Sequence, residues 1–330
     1  MFKKVISILT AAVITLSLAA CSTSGEAAVK AGTAKGETGD VKWPRNVEII
    51  VPAGAGGDTD YNARMLAAEL TKKLPPNFVV ANVEGNGGAT GTRQVKNAKN
   101  DGSSVLFYHS AFVVNQLSGT TDYGFDSYEF ACIAAMNPGN ALTVSSKLGI
   151  DNLEDLFDYT KKHPGELKMA AQTGATSYAV ATLLKQAGLD VNIVDAGSAA
   201  DRLAALLGGH VDIILAGYGS VKDYVSEGEL VVLGMDGGVD LEAAELQSFV
   251  SEGVDVKLPF YYFFAFPEGT DAALVEAFSE AVQDIVENNK EYQKAIYDSY
   301  YQQPTYYGRE EGLAKFDEVT KLLENVQFNK

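Results

Sequence analysis

The sequence has few of the residues on which metal sites and nucleophilic catalysis depend. Its 330 residues include two cysteines and three histidines, and the histidines (His109, His163 and His210) lie far apart. No group of His and Cys has the spacing of metal ligands. The G-x-S-x-G turn of hydrolases and the G-K-[ST] phosphate loop are both missing. We therefore expect no metal, no cofactor and no catalytic residue.

Positive charge is also scarce. The chain has 26 Lys and Arg against 43 Asp and Glu, which gives a formal net charge of −17 at pH 7. Nucleic acid and anionic lipid surfaces attract basic proteins, so this composition argues against either of them as a partner. If the ligand is an anion, local geometry must attract it against the charge of the whole chain.

The first 20 residues differ from the rest of the chain. Lys3 and Lys4 precede an apolar run at 5–20, which is short for a membrane span and typical of a secretory signal. The sequence Leu-Ala-Ala-Cys, which ends at Cys21, resembles a bacterial lipobox. That resemblance implies cleavage before Cys21 and a lipid on its sulfur, which anchors a protein without spanning the membrane.

The segment that follows, 21–45, is rich in small and charged residues and predicts a flexible tether. We expect an exported protein that is anchored by lipid to the outer face of the cytoplasmic membrane, in a periplasm or at a cell surface. Cys132 lies in an apolar stretch and predicts a buried, inert thiol. No intramolecular disulfide is available once Cys21 carries lipid.

From residue 46 the sequence repeats a strand-like apolar segment, a loop of small residues and an amphipathic helix. This alternation predicts parallel sheets that are covered by helices on both faces. We expect two α/β lobes, one formed by 46–136 plus 258–330 and the other by 137–257. The chain is predicted to cross between the lobes near 134–140 and again near 257–264.

At least five loops share one design, in which a strand is followed by small residues and then by a helix that opens with Ser, Thr or Asp. The dinucleotide pattern G-x-G-x-x-G fails at 54–59 and at 85–90, because Thr occupies the last position of both. Such loops gather at the carboxyl ends of parallel strands, and each exposes backbone amides at a helix N-terminus. These amides form an anion site, so we expect a small carboxylate held largely by backbone.

Four segments resemble, in order, the substrate-binding proteins of tripartite tricarboxylate transporters (the TctC or Bug family). They are "VPAGAGGDTDYNAR" at 51–64 and the segments 82–107, 163–184 and 196–217. The resemblance implies a periplasmic-binding-protein fold of type II, with two α/β lobes that close on an organic carboxylate. It also implies a non-enzymatic protein, expected as a monomer, that delivers this solute to a small and a large membrane subunit.

The predicted ligand-binding residues lie on these loops. The resemblance implies that Asp60 lies beside the ligand and that Gly87, Gly88, Ser177 and Ser198 line the cleft, whereas His109 is assigned to the rim from its position after a strand. The full predicted set is Ala55, Gly56, Gly57, Asp58, Thr59, Asp60, Gly87, Gly88, His109, Ser110, Thr173, Thr176, Ser177, Asp195, Gly197, Ser198 and Tyr218.

Two positions depart from the family pattern. Asp58 stands where a third glycine is common, and Asp195 with Ala196 replaces a common aromatic residue and lysine. Asp58, Asp60 and Asp195 are therefore candidates for the mouth of the pocket. They either cap their own helices or face a ligand that has an ammonium or another donor group beside its carboxylate.

Two other functions remain open from the sequence. The protein could serve an ABC transporter or another secondary transporter, since the chain does not distinguish these receptors well. It could also be an exported α/β enzyme that uses Asp60 or Asp195 as its general acid or base.

Overall fold

The computed structural model describes residues 41–328. The predicted signal segment 1–20, the lipidation site Cys21 and most of the predicted tether 21–45 lie outside the described residues. Among the residues that are described, no helix combines the length and the hydropathy that a membrane crossing requires.

This part of the chain forms eleven strands and ten α-helices. The strands are β1 (Asn46–Val51), β2 (Asn77–Asn82), β3 (Ser104–His109), β4 (Tyr128–Asn137), β5 (Asn140–Ser145), β6 (Lys168–Ala171), β7 (Asn192–Asp195), β8 (Ile213–Gly217), β9 (Leu230–Met235), β10 (Phe260–Pro267) and β11 (Gln303–Tyr307). The helices are α1 (Asp58–Lys73), α2 (Ala89–Lys96), α3 (Ala111–Leu117), α4 (Leu153–Lys162), α5 (Thr176–Gln186), α6 (Ala199–Leu207), α7 (Tyr218–Ser226), α8 (Ala272–Asn288), α9 (Lys290–Tyr300) and α10 (Arg309–Leu323).

The strands form two sheets with related topologies. The first sheet has the order β11-β4-β10-β3-β1-β2, and the second has the order β7-β6-β8-β5-β9. In each sheet the first strand of a parallel series lies between the second and the third, as β1 lies between β2 and β3 and β6 lies between β7 and β8. The α/β alternation predicted from the sequence is therefore present in both sheets.

The sheets, predicted to be parallel, are mixed, because each also contains antiparallel strands. In the first sheet β10 runs antiparallel to β3 and β4, and β11 runs antiparallel to β4. In the second sheet β5 runs antiparallel to β8 and β9. The strands β5 and β10 are each the first that the chain forms after it leaves the other sheet, so each enters its sheet from the opposite end.

The aromatic segment that forms β10 is the centre of the first sheet's core. All eight residues of this strand are buried between β3 and β4. Because successive side chains of a strand point to opposite faces, Phe263 packs on one face with Phe316, at 5.2 Å between ring centroids. Phe264 and Phe266 pack on the other face against Phe278, at 4.9 and 5.1 Å. The strand thus holds the helices on both faces of the sheet.

Candidate ligand-binding site

A cavity of about 160 Å³ lies where loops from the two sheets meet. The first sheet contributes the loops that follow β1 and β2 and the end of β3, and the second contributes the loops that follow β6, β7 and β8. These are the carboxyl ends of parallel strands, which is the place where ligands bind in open α/β sheets. The cavity is therefore the candidate ligand-binding site.

Five helices begin at this cavity. The residues that cap the N-termini of α1, α2, α5, α6 and α7 all line it, and they are Gly57, Gly88, Ala175, Ser198 and Gly217. Helix N-termini carry unpaired amides and a partial positive charge, so five of them around one cavity create a site for anions.

Four of these five helices lack a side-chain cap. Gly57, Gly88, Ala175 and Gly217 have no oxygen on the side chain and so cannot cap their helices. In α1 the Thr59 amide bonds Asp58 Oδ1 at 2.8 Å, and in α2 the first amides bond carbonyl oxygens of the preceding turn. Only Ser198 forms a capping box, with Asp201. Ser, Thr, Asp and Asn are the usual N-cap residues, because their side chains satisfy such amides. Their absence leaves backbone N–H groups for another acceptor above all at the starts of α5 and α7.

The loop after β2 is shaped for close approach to the second sheet. Gly87 has a φ of +64°, and a Cβ at this position would lie 2.7 Å from the carbonyl oxygen of Thr173. Asn115 of α3 donates to the carbonyl oxygens of Gly87 and Gly174 and so ties the two loops together. A side chain at position 87 would therefore push apart the walls of the cavity.

Three side chains that line the cavity carry charge at neutral pH: Asp58, Glu84 and Arg202. Asp58 accepts hydrogen bonds from the Thr59 amide at 2.8 Å and from Asn137 Nδ2 at 3.2 Å, and also from the hydroxyl of Tyr262. Burial, together with the Asp58 carboxylate, raises the pKa of Tyr262 well above its ordinary value, so this hydroxyl remains a donor.

A chain of buried polar groups supports Asp58 from behind. Gln302 Nε2 donates to the hydroxyl oxygen of Tyr262 at 3.0 Å, and Gln302 Oε1 accepts from Asn62 Nδ2 at 2.6 Å. Asn62 Oδ1 in turn accepts from the hydroxyl of Tyr292 at 3.0 Å. Because its partners are themselves fixed, the carboxylate of Asp58 has a defined position in the cavity.

His109 lines the cavity as a neutral ring. It packs between Tyr108 and Phe260, at 4.3 and 4.4 Å between ring centroids. Burial lowers the pKa of His109 to about 3, so it stays uncharged at physiological pH. Its Nδ1 accepts from the Ala111 amide at 3.2 Å, which leaves Nε2 as the protonated nitrogen. His109 therefore offers the cavity a neutral donor and no charge.

Ten of the residues predicted from the sequence line the cavity. They are Ala55, Gly57, Asp58, Thr59, Gly87, Gly88, His109, Thr176, Ser177 and Ser198. The other seven, Gly56, Asp60, Ser110, Thr173, Asp195, Gly197 and Tyr218, are outside its lining.

Two of these seven, Asp60 and Asp195, were also candidates for the mouth of the pocket, and both have partners within the protein. Asp60 pairs with Arg64 at 2.9 Å and accepts from the Gly56 amide at 2.8 Å, so it holds the first loop in place. Asp195 accepts from the amides of Thr173 and Gly197, each at 3.1 Å. These hydrogen bonds, and the charge of Arg64 beside Asp60, lower the pKa of each carboxyl against the opposing effect of burial. Both aspartates therefore act as supports of neighbouring loops.

Several lining residues were not predicted from the sequence, including Glu84, Asn140, Gln172, Arg202, Ser220 and Phe260. Glu84 comes directly before the Gly-Asn-Gly-Gly segment, and Arg202 lies in the helix that opens with Gly-Ser-Ala. The proximity of both to predicted loops was the only available signal. A charged residue beside a loop is usually solvated, so that signal does not identify a ligand contact.

The family model of the tripartite tricarboxylate transporter family receptor (TctC) matches residues 62–321 of the chain. The chain belongs to this family. As a member of a receptor family, this TctC receptor is a solute-binding protein and not an enzyme, as its sequence predicts.

A curated relative agrees with this assignment, and two solved structures share the fold. Protein BugT of Bordetella pertussis is 26% identical to this receptor over 266 residues, which is 78% of this chain and 81% of BugT. The Rhodopseudomonas palustris protein MatC, solved with bound malate, has a TM-score of 0.75 at 21% identity, covering 86% of this chain and 98% of its own. Rpa4515 of R. palustris, solved with adipate, has a TM-score of 0.77 at 20% identity, with 86% and 97% covered. The predicted periplasmic-binding-protein fold is confirmed.

Proposed function

We propose that this receptor is an extracytoplasmic lipoprotein that captures a small organic carboxylate in the cavity between its two sheets. It then delivers the solute to the small and large membrane subunits of a tripartite tricarboxylate-type transporter. The observation that carries the proposal is the convergence of five helix N-termini on one cavity, four of them without a side-chain cap. Amides in this arrangement attract a carboxylate although the whole chain is acidic.

The proposal is also supported by the related structures. MatC was solved with malate and Rpa4515 with adipate, and both ligands are dicarboxylates. Carboxylate gains about 0.3–1 kcal/mol at each helix end, and up to about 2 kcal/mol where the site is partly buried. Several ends acting together therefore supply enough free energy for capture without a lysine.

We further propose that the two sheets belong to two lobes, 46–136 plus 258–330 and 137–257, which close around the solute. The hinge would consist of the connections on either side of β5–β9. Asp236 joins them, since its amide donates to Asn140 O at 3.0 Å and its carbonyl accepts from the Leu258 amide at 2.7 Å. A ligand-free crystal structure with the cavity walls in the same contact as here would contradict this motion.

The proposed function is tested by calorimetry of the purified protein with a panel of mono-, di- and tricarboxylates, amino acids and aromatic acids. We expect at least one acid to bind with a stoichiometry of one per chain. The carboxamide analogue of that acid serves as the matched control and should bind at least about tenfold more weakly, because a neutral amide gains little from helix dipoles. Failure of every carboxylate to bind, or slow turnover of the one that binds, would overturn the proposal.

Asp58 supports a finer proposal about the solute, namely that it has an ammonium or another donor group beside its carboxylate. Of the three aspartates considered from the sequence, Asp58 alone lines the cavity, and Glu84 adds a second negative charge. Asp58→Asn should weaken binding of an amino acid by about tenfold and leave a plain dicarboxylate unchanged or bound more tightly. Asp195→Asn is the control, because Asp195 is outside the lining. Equal effects of Asp58→Asn on both ligands would contradict a donor group at this position.

The lipid anchor is tested separately from ligand binding. Cys21 ends the lipobox-like segment and supplies the sulfur that would carry the lipid. Cys21→Ser should move the protein from the membrane fraction to the soluble exported fraction and leave ligand affinity unchanged. Cys132→Ser is the matched control, since the Cys132 thiol is buried and burial raises its pKa to about 12. Membrane association that persists in Cys21→Ser would argue against the anchor.

A further inference from the structure

Arg202 is a buried cation in the wall of the cavity. It belongs to α6, its side chain and backbone are together only 5% exposed, and it lines the cavity beside the caps of α6 and α7. Arginine is rarely buried without a partner. Neither the sequence pattern nor the loop design explains why this position, four residues after the α6 cap, carries a charge.

The guanidinium of Arg202 is only partly satisfied by the protein. Nε and Nη2 donate to Leu215 O at 3.3 and 2.9 Å, and Nη1 donates to Gly197 O at 2.7 Å. A guanidinium has five N–H donors, so one remains on each terminal nitrogen after these three bonds. Two donors on neighbouring nitrogens match the two oxygens of a carboxylate.

The charge of Arg202 has no counter-ion in contact. Among the ion pairs formed by residues 41–328, none within 4.0 Å includes Arg202. Asp201 and Asp195 raise the pKa of Arg202 by their charge, but burial is the stronger effect and lowers the pKa to about 10. The group is therefore still charged at neutral pH. Asp201 already accepts a hydrogen bond from the Ser198 hydroxyl, and Asp195 accepts from the amides of Thr173 and Gly197.

A buried charge of this kind is costly unless an ion of opposite sign meets it. The protein supplies carbonyl oxygens, which orient the guanidinium but carry no net charge. The remaining partner must come through the cavity, whose other nearby groups on this side are the N-termini of α6 and α7. The guanidinium of Arg202 and the N-termini of α6 and α7 all favour an anion at the same place.

We propose that Arg202 is a specificity-determining residue that binds a carboxylate of the solute through its two free N–H groups. This inference rests on the proposed function, since it takes the solute to be a carboxylate. It adds that one carboxylate lies on the side of the second sheet, between the starts of α6 and α7, and is held by a side chain as well as by backbone. Asp58 and Glu84 line the loops of the first sheet. The ligand is thus oriented with a carboxylate toward Arg202 and its donor groups, where it has them, toward these acids.

The test measures how strongly Arg202 and the solute carboxylate depend on each other. Calorimetry is performed on the wild-type protein and on Arg202→Met and Arg202→Lys. The ligands are the tightest-binding acid of the carboxylate panel, with adipate and malate tried first, and its analogue with one carboxylate changed to a carboxamide. Arg309→Met is the matched control, because Arg309 pairs with Glu129 at 2.7 Å and is outside the cavity lining.

We expect Arg202→Met to weaken binding of the acid by about 10- to 100-fold and to reduce the wild-type preference for acid over carboxamide by a similar factor, leaving the part that the helix N-termini supply. Arg202→Lys should recover part of the preference, since it keeps the charge but loses the paired donors. A purely structural role at Gly197 and Leu215 would instead weaken acid and carboxamide by the same factor, and that result would overturn the inference alone. Failure of the wild-type protein to bind any acid would overturn the proposed function, and this inference with it.

Discussion

Replacing Ala175 by aspartate should weaken carboxylate binding by about 10- to 100-fold and at the same time stabilise the protein by about 1 kcal/mol. Ala175 is the N-cap of α5, lines the cavity, and has φ −101° and ψ 169°, the extended conformation of a normal cap. An aspartate there would accept hydrogen bonds from the first amides of α5. It would also place a negative charge where the solute carboxylate is proposed to bind.

The opposite signs of the two effects make this prediction specific. A mutation that damages the fold lowers both stability and affinity. A side chain that occupies the anion site instead raises stability and lowers affinity. Urea unfolding of the ligand-free protein gives the first quantity, and calorimetry with the best acid of the panel gives the second. Ala175→Asn should stabilise α5 to a similar extent but reduce affinity less, because it caps the amides without a charge.

A second capping variant provides the control away from the cavity. Gly308 is the N-cap residue of α10 and lies outside the cavity lining, and no side chain caps this helix. Gly308→Asp should leave the affinity unchanged, with at most a few tenths of a kcal/mol of added stability. If Ala175→Asp is more stable than the wild type and still binds the acid with unchanged affinity, the amides of α5 do not form part of the site.

One buried carboxyl group should contribute stability that is lost as the pH rises from about 4 to 7. Asp236 follows β9 and lies where both connections between the sheets meet, and it is only 1% exposed. Burial raises the pKa of Asp236 from 3.8 to about 7, although bonds from the amide and side chain of Asn140 oppose this shift. The folded protein therefore holds a proton on Asp236 over a pH range in which the unfolded chain has lost it.

The sign of the effect follows from proton linkage. Where the folded state binds more protons than the unfolded state, the free energy of unfolding decreases with rising pH. The contribution of Asp236 is fully present below its unfolded pKa near 3.8 and is lost as the pH rises through about 7. Between pH 5 and pH 8 the loss amounts to about 2 to 3 kcal/mol.

The measurement compares the wild type with Asp236→Asn in urea at pH 5 and at pH 8, without ligand. Asparagine resembles the protonated aspartic acid and cannot ionise, so the variant should lack this contribution. From pH 5 to pH 8, the free energy of unfolding of the variant should rise by about 2 to 3 kcal/mol relative to that of the wild type. The contributions of all other groups cancel in the comparison. Asp240→Asn is the control, because hydrogen bonds from Ser248 and Ser251 lower the pKa of this exposed group. A difference between wild type and Asp236→Asn that does not change with pH would show that Asp236 is ionised in the folded protein throughout.

The alternation of strands and helices, and the gathering of loops at one cavity, could be predicted because both follow from local patterns. Apolar periodicity distinguishes helix from strand, and parallel strands place all their carboxyl ends on one side. Strand direction was harder to predict, since β5 and β10 run antiparallel to their neighbours for reasons that depend on how the chain enters each sheet.

The contacts of the individual side chains at the site were harder to predict, because most of their partners are distant in sequence. Asp60 was expected beside the ligand but is paired with Arg64 on the next turn of α1, a spacing that is visible in the sequence. Asp58 faces the cavity because Tyr262 and Asn137 hold it there. Arg202 is buried because β8 covers it, and its own helix gives no sign of this. The backbone conformation of the loops was therefore easier to predict than the partners of the charged side chains.

The central claim is that backbone amides at converging helix N-termini hold the carboxylate of the solute. A crystal structure of the protein with the tightest-binding acid tests it most directly. We expect carboxylate oxygens within about 2.7–3.2 Å of backbone nitrogens at the starts of α5, α6 or α7, with Arg202 on the same carboxylate. A carboxylate bound outside the cavity, or held by side chains while water occupies the amides, would contradict the claim.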